Sequence, residues 1–262
     1  MGEQPQREQP LREQPHAEQA QGGSPQPELS PSDLPQHKQP SSGAPQVEQP
    51  VRSTWATGTP LLTDYYDTEW GVPVFDESGV FERLSLEAFQ SGLSWLTILR
   101  KREAFREAFA SFDIDRVAAF DESDIECLLS DERIIRNRAK ITATLANARA
   151  CLELKSAGAT LSNLIWAHMP ERSPQPRSDA EVPTTSPESI ELAKTLKRQG
   201  FRFVGPTTAF ALMTALGVAD VHLVSSHRRG CSGLWNTDGT RTAEGHRVAQ
   251  NARAASAEIL VP

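Results

Sequence analysis

Hydrophobic positions between residues 80 and 109 recur mainly three or four residues apart, which is the spacing of one face of a helix. Gly92 interrupts this series, so we predict two helices that meet at a glycine turn. A second series begins at Ile134 and continues to Leu152, and it predicts a long helix. Because the apolar-polar alternation of half-buried strands is scarce, the pattern predicts an all-α fold.

Two further helices are predicted around a short apolar segment near residue 203. Ser186 and Pro187 follow a polar loop and are typical of a helix start, and Gly200 is typical of a helix end. Gly205 and Pro206 then separate the apolar segment from the next helix. This layout is that of a helix-hairpin-helix unit, whose turn amides can bind a DNA phosphate. An ordinary turn between two core helices fits equally well.

The N-terminal composition differs sharply from the rest of the chain. The first 50 residues hold ten of the nineteen prolines and repeat the triplet Glu-Gln-Pro. We therefore predict a disordered tail over residues 1–51, a folded domain over 52–229 and a partly helical C-terminal extension over 230–262. A partner-binding role for the tail is the alternative to an extension without one. We see no signal peptide and no apolar run that could span a bilayer, so we expect a cytoplasmic protein without a membrane partner.

Charge and cysteine content limit the possible functions. With three basic and seven acidic residues, the first 50 residues account for −4 of the net charge of −7, which leaves −3 for the rest. DNA binding would therefore depend on local basic stretches, at residues 100–102, 136–140 and 194–202, and a solvated helix face is the alternative for each. The three cysteines are far apart in sequence, and we expect reduced thiols rather than a disulfide framework or a zinc knot.

Two acidic and aromatic segments contain the candidate chemistry. Glu87 lies in an apolar helical stretch, where it is either a costly buried carboxylate or a solvent-facing neighbour of Gln90. Both tyrosines of the chain, Tyr65 and Tyr66, stand side by side in the segment DYYDTEWGV. Three explanations compete for that segment: a packed core edge, an aromatic ligand pocket, or a metal site that has lost a ligand.

Four segments of the chain stand out together: YYDTEWGVPV, LEAFQSGLSWLTILRKRE, IIRNRAKITATLANARA and LKRQGFRFVGPTT. In their order and approximate spacing they resemble the bacterial 3-methyladenine DNA glycosylase I family of the helix-hairpin-helix superfamily. The resemblance runs from about Trp55 to Ser226. It implies a helix-hairpin-helix glycosylase fold and a monofunctional base-excision enzyme that flips N3-methyladenine out of double-stranded DNA and hydrolyses its N-glycosidic bond. We expect a monomer that needs no cofactor.

The resemblance also implies residue roles. Glu87 takes the family's catalytic, base-binding carboxylate position, and no lysine occupies a pocket position, which fits hydrolysis rather than a lyase reaction. Gly92 and Leu93 match the element that fills the gap left by a flipped base, and Gly205 matches the hairpin glycine that contacts DNA. The predicted walls of the base pocket are Tyr65, Trp95, Trp55, Trp70 and Gln90. Ordinary core packing is the alternative for Trp55 and Trp70.

The chain departs from the family at its zinc site. The four ligand positions of the family correspond here to Ser53, Tyr66, His222 and Ser226. Because only the histidine is a strong zinc ligand, we predict no metal. Instead, we expect packing and a hydrogen bond from Tyr66 to His222 to join the two ends of the domain. His227 is a possible displaced ligand, but only one cysteine lies near it in sequence.

A second departure concerns the substrate. Leu62 stands where the family commonly has an aromatic side chain, three residues before the pocket tyrosine. Loss of a ring would weaken stacking by roughly 1–3 kcal/mol or enlarge the pocket. Two alternatives therefore remain beside the 3-methyladenine glycosylase: an enzyme for bulkier alkylated bases, and a catalytically silent DNA-binding protein.

Overall fold

The computed structural model describes residues 49–260. Almost all of the predicted N-terminal tail, residues 1–48, lies outside the described residues, as do residues 261 and 262. The described part is all-α, as predicted, and its extended pairing is limited to two isolated antiparallel bridges near residues 172 and 235–241. Within residues 49–260, no helix is both long enough and apolar enough to cross a membrane.

Eleven α-helices and three short 3-10 helices build the described part. The α-helices are α1 (Pro60–Thr68), α2 (Glu77–Gln90), α3 (Trp95–Ala108), α4 (Ile114–Ala118), α5 (Glu122–Ser130), α6 (Arg138–Ser156), α7 (Leu161–Trp166), α8 (Pro187–Arg198), α9 (Pro206–Ala215), α10 (Ala243–Ala255) and α11 (Ala257–Leu260). The 3-10 helices are Thr54–Thr57, Ala110–Phe112 and Asp179–Glu181.

Helix α2 lies at the centre of the core and packs against α3, α6, α7 and α9. It begins where the carboxylate of Asp76 accepts a hydrogen bond from the backbone N–H of Gly79 at 2.7 Å. Its apolar side chains are buried around its whole circumference, as expected of a helix enclosed by neighbours. From Val80 onward, the polar groups on α2 therefore face other helices or an internal cavity.

The predicted glycine turn separates α2 from α3. Gly92 has φ +79°, a left-handed conformation that glycine adopts without the strain of a Cβ atom. Ser94 then caps α3 by accepting from the backbone N–H of Thr97 at 3.2 Å. The predicted start of α6 at Ile134 was wrong, because the helix begins at Arg138, where Asn137 accepts the backbone N–H of Lys140.

The hairpin between α8 and α9 follows the predicted layout. Ser186 caps α8 through a reciprocal pair of hydrogen bonds with Ser189, and Pro187 occupies the first helical position. Phe201 and Val204 are buried beneath the hairpin, while Phe203 is exposed and has φ +57°. Gly205 is the N-terminal residue before α9 and has no side chain to cap it.

The C-terminal segment packs on the helical domain. Trp235 is fully buried and donates from Nε1 to the carbonyl of Gly217 at 3.1 Å. Arg241 donates from Nε to the carbonyl of Pro170 at 2.8 Å, and α10 lies against α7. Within the extension predicted to be partly helical, the structure has two helices, α10 and α11, which are separated at Ser256.

Candidate functional site

A cavity of about 360 Å³ opens between α1, α2, α3, α9 and the 3-10 helix Thr54–Thr57. The structure brings all six predicted pocket residues to its walls and adds two from α9. The lining residues are Trp55, Tyr65, Trp70, Glu87, Gln90, Trp95, Ala211 and Thr214. Ala211 and Thr214 were missed from the sequence. Their spacing of three residues places two small side chains on one face of α9, and that is the signal that could have found them.

Among residues 49–260, Glu87 is the only acidic side chain that lines this cavity. Its residue is 7% exposed, so the buried alternative holds rather than the solvent-facing one. Burial raises the pKa of Glu87 from 4.5 to about 8, and the positive charge of Arg83 opposes that shift. No hydrogen bond contributes to this change in pKa, so the carboxyl group is free to accept a hydrogen bond from a molecule in the cavity.

Aromatic rings surround that carboxyl group. The rings of Tyr65 and Trp95 lie 5.3 Å apart at 50°, and those of Trp55 and Trp70 lie 5.3 Å apart at 85°. Burial raises the pKa of Tyr65, and the negative charge of Glu87 adds to the effect, so the phenol stays neutral. Trp55 is 37% exposed at the mouth of the cavity, which excludes a purely core role for it.

The position of Trp55 depends on a contact that the sequence did not reveal. The carboxylate of Asp179 accepts a hydrogen bond from the backbone N–H of Thr54 at 2.8 Å. That contact joins the long loop before α8 to the 3-10 helix that carries Trp55. An aspartate in a polar loop, 125 residues from its partner, has no local pattern that identifies it.

The predicted DNA-contacting residues lie at the surface rather than in the cavity. Leu93 is 39% exposed, Gly92 is also exposed, and both lie in the turn that follows Gln90. Gly205 is partly exposed at the start of α9. Leu62, in contrast, is buried in a small cluster with Tyr65 and does not line the cavity.

Several of the predicted basic contacts are neutralised by acidic neighbours. Arg102 pairs with Glu69 at 2.7 Å, and Lys194 pairs with Glu191 at 2.7 Å. In the stretch 136–140 both arginines pair with glutamates, and Lys140 is buried. Which side chains of the three basic stretches contact DNA therefore stays a prediction, and the paired ones are less available for phosphate than the sequence alone indicates. Within residues 49–260, the exposed cations of these stretches that form no ion pair include Arg100, Lys197 and Arg202.

The second tyrosine has a different neighbourhood from the first. Tyr66 is fully buried, and its hydroxyl lies 2.8 Å from the hydroxyl of Ser226. The predicted hydrogen bond to His222 was wrong, because that imidazole meets the Tyr66 ring edge-on at 5.2 Å. Nδ1 of His222 instead lies 2.8 Å from the carboxylate of Asp220, two residues away. The imidazole also contacts the Trp70 ring at 4.5 Å, which connects this corner to the cavity wall.

These side chains do not fit a tetrahedral zinc ion. Of the four side chains at the ligand positions, Tyr66 and Ser226 have their hydroxyl groups hydrogen-bonded to each other. Of the His222 ring, only Nε2 has no partner within residues 49–260. His227 contacts the carbonyl of Val51 and a neighbouring carboxylate, so it does not replace a missing ligand. One free imidazole nitrogen without a thiolate is not a structural zinc site.

Comparisons with known proteins agree with this geometry. A sequence model of the methyladenine glycosylase family matches residues 55–229. The chain is 42% identical over 176 residues to DNA-3-methyladenine glycosylase 1 of Escherichia coli (strain K12), a match that covers 66% of this chain and 94% of that protein. It is 41% identical over 175 residues to DNA-3-methyladenine glycosylase of Haemophilus influenzae (strain ATCC 51907 / DSM 11121 / KW20 / Rd), covering 66% and 94%.

Solved structures resemble the fold as well. A crystal structure of 3-methyladenine DNA glycosylase I superposes with a TM-score of 0.66 at 41% identity, covering 68% of this chain and 98% of that one. A variant of 3-methyladenine DNA glycosylase I in complex with 3-methyladenine superposes with a TM-score of 0.62 at 33% identity, covering 66% and 94%.

Proposed function

The chain belongs to the methyladenine glycosylase family, and we infer that it releases 3-methyladenine from alkylated DNA as a base-excision repair enzyme. The observation that carries this function is the cavity in which the buried carboxyl group of Glu87 faces a set of aromatic rings. We further propose that the enzyme acts as a monomer in the cytoplasm and that its substrate is double-stranded.

Glu87 is proposed to recognise the alkylated base. N3-methylation leaves the adenine ring of the nucleotide positively charged, and the exocyclic amine of that ring is a hydrogen-bond donor. A carboxylate in a dry cavity can accept from the amine and attract the charge. Because the pKa of Glu87 is raised to about 8, a neutral adenine finds mostly a protonated acid at pH 7. A cationic base favours the ionised form of Glu87, whereas a neutral base does not. This difference in the charge of Glu87 supports preferential binding of the positively charged methylated base.

The aromatic walls are proposed to bind the flat cationic ring. Four aromatic side chains line the cavity together with Glu87, the Tyr65 ring next to that of Trp95 and the Trp55 ring next to that of Trp70. Each well-placed ring can contribute about 0.5–2 kcal/mol of cation–π attraction, with the larger values at desolvated sites. Gln90 offers an amide for a further hydrogen bond to the base.

Hydrolysis then requires little from the protein beyond these contacts. Water adds to C1′ of the deoxyribose, the bond from C1′ to N9 breaks, and the electron pair of that bond neutralises the positive purine. The proton lost by the water passes to solvent. In the part of the chain that the structure describes, no lysine lines the cavity, so a Schiff base with the sugar is not part of the proposal. Leu93 is proposed to fill the gap in the duplex after the base has flipped out.

The test is release of free bases from methylated duplex DNA by the wild-type enzyme and by Glu87→Gln. We expect the wild type to release 3-methyladenine and the variant to lose at least about tenfold in rate, since it lacks the carboxylate charge. Glu82→Gln is the matched control, because Glu82 lies on the same helix, is also buried, and pairs with Arg106 outside the cavity. Equal rates for wild type and Glu87→Gln would refute the role of Glu87.

The silent DNA-binding alternative makes a different prediction in the same assay. A protein without catalytic function would bind the duplex with a salt-dependent affinity but release no base from it. The exposed cations Arg100, Lys197 and Arg202 are the proposed phosphate contacts. An affinity that does not change between low and high salt would argue against all three of them.

A second cavity favours one additional substrate class. It measures about 350 Å³, adjoins the first, and shares four walls with it: Trp55, Trp70, Ala211 and Thr214. Glu87 lines only the first cavity, and N3 lies across the six-membered ring from the exocyclic amine of adenine. An amine directed at Glu87 would therefore leave an N3 substituent pointing away from that residue. We propose that apolar N3 groups larger than methyl reach the second cavity.

Val182 lines only the second cavity, so it allows a test of this extension. We expect the wild type to release N3-benzyladenine as well as 3-methyladenine, and Val182→Phe to lose the benzyl substrate while it keeps the methyl one. Val182→Ala is the matched control and should retain both activities. If the wild type releases only the methylated base, the extension is wrong.

We also propose that the folded enzyme contains no structural zinc. The hydroxyl pair of Tyr66 and Ser226 would replace the metal as the contact between α1 and the segment before residue 230. After purification without chelator, we expect fewer than about 0.1 zinc ions per chain, because the site is proposed to be empty. We also expect EDTA to leave the melting temperature unchanged. One equivalent of tightly bound zinc would overturn the proposal.

A further inference from the structure

Helix α6 carries a buried lysine that contacts the end of α2. Lys140 is 8% exposed, and its Nζ donates to the carbonyl of Phe89 at 2.9 Å and to that of Ser91 at 2.6 Å. The last carbonyls of a helix lack partners within the helix, and a cation placed there satisfies them and interacts favourably with the helix dipole. This ammonium group therefore defines where α2 ends and where the Gly92 turn begins.

The same helix carries a buried amide that contacts the hairpin. Asn147 is 1% exposed, its Oδ1 accepts from the backbone N–H of Arg202 at 2.7 Å, and its Nδ2 donates to the carbonyl of Arg202 at 3.2 Å. The side chain thus forms both hydrogen bonds that a neighbouring strand would form with that residue. The next residue, Phe203, has φ +57° and an exposed ring, so the amide holds the hairpin at its strained position.

The two polar side chains lie on one face of α6. Seven residues are almost two full turns, which places Lys140 and Asn147 about 10 Å apart along the helix axis and nearly in line. Each group forms its hydrogen bonds with backbone about 50 residues away in sequence. Burying an ammonium and an amide is costly compared with apolar side chains of the same size, and packing alone does not require either group.

We propose that Lys140 and Asn147 are positioning residues. They hold the Gly92 turn, which carries Leu93, and the hairpin between α8 and α9 at the separation that lets both contact the same duplex. The proposal rests on the proposed function, because it assigns these two segments to DNA. Burial lowers the pKa of Lys140, because enclosure by protein disfavours the charged form of the ammonium group. Neither side chain lines the cavity, so neither touches the base itself.

Apolar variants of similar size separate this role from pocket binding. In Lys140→Met and Asn147→Leu, free 3-methyladenine should bind with an affinity within about twofold of wild type, measured by quenching of tryptophan fluorescence. The single-turnover rate of excision from a methylated duplex should fall about 10- to 100-fold, because misplacement of about 1 Å has effects of that size. Lys140→Arg keeps a cation at the carbonyls and should recover part of the loss.

Thr144→Val is the matched control on the same helix. Thr144 is buried between the two positions, and its hydroxyl donates to the carbonyl of Lys140 within α6, so the variant loses a buried hydrogen bond but no contact with either loop. We expect its excision rate to stay within about twofold of wild type even if its thermal stability falls as much as that of the other variants.

Three results would overturn the proposal. Free-base affinity could fall in parallel with duplex excision, which would indicate general damage to the fold. Thr144→Val could lose as much excision as the two test variants, or all the variants could excise at the wild-type rate. If the wild type itself released no 3-methyladenine, the proposed function would fail instead. Affinity for a duplex with an abasic site would then still test the positioning, with weaker binding expected only for Lys140→Met and Asn147→Leu.

Discussion

The ionisation of Glu87 affects the stability of the enzyme as well as its chemistry. Burial raises the pKa of this carboxyl group from 4.5 to about 8 in the folded chain. A carboxyl group with a raised folded pKa destabilises the fold once the pH exceeds its unfolded pKa, because the unfolded chain releases the proton while the native chain retains it. The effect is absent well below pH 4.5 and complete above pH 8. Replacing Glu87 with glutamine removes it.

The size of the effect follows from the two pKa values. Using 1.36 kcal/mol for each pKa unit, Glu87→Gln should be more stable than wild type by about 1 kcal/mol at pH 5, about 3 kcal/mol at pH 7 and about 4 kcal/mol at pH 8. The trend matters more than any single value, since any pH-independent cost of the substitution is the same at every pH. We therefore expect the stability difference to grow by about 3 kcal/mol between pH 5 and pH 8.

Urea unfolding of wild type and Glu87→Gln at several pH values measures this difference directly. Glu103→Gln, which removes an exposed acid from α3, controls for the change in net charge. A difference between wild type and Glu87→Gln that stays constant from pH 5 to pH 8 would refute the raised pKa. It would also remove the argument that a cationic base is selected because it favours ionisation of Glu87. A stabilised variant with impaired excision would show that a group costly to the fold serves the reaction.

Three other substitutions test individual contacts. Tyr66→Phe should lower the free energy of unfolding by about 1–3 kcal/mol, measured in urea, because it leaves the buried partner of the hydroxyl with one hydrogen bond fewer; no loss would mean that the pair does not replace the zinc ion. Gly92→Ala has space for its Cβ but a φ of +79°, so calorimetry should show only about 1–2 kcal/mol of strain. Asp179→Ala should weaken free-base binding about fivefold in fluorescence titrations, because the variant loses the hydrogen bond from the backbone N–H of Thr54 that holds Trp55 in place. Unchanged binding would show that this contact does not position Trp55.

Local features of this protein could be predicted from sequence because their causes are local. Apolar spacing predicted the helices around Gly92, since burial of one helix face repeats every three or four residues. Ser186 and Gly200 marked the ends of α8, because capping hydrogen bonds and left-handed conformations involve only neighbouring residues. The pocket residues were identified through family resemblance, and the structure places all of them around one cavity. Their individual roles remain predictions.

Other features depended on contacts between distant parts of the chain. Periodicity shows which face of a helix is buried but not which helix covers it, so the small side chains of α9 were not expected at the cavity. The ion pairing of the basic stretches could not be predicted from sequence, because Arg102 and Glu69 are 33 residues apart, and only folding brings them within 2.7 Å. The partner of Tyr66 was misassigned for the same reason. Burial and charge pairing depend on the residues packed around a group, so only the tertiary structure decided the burial of Glu87, the pairing of the surface cations and the contacts of Tyr66 and His222.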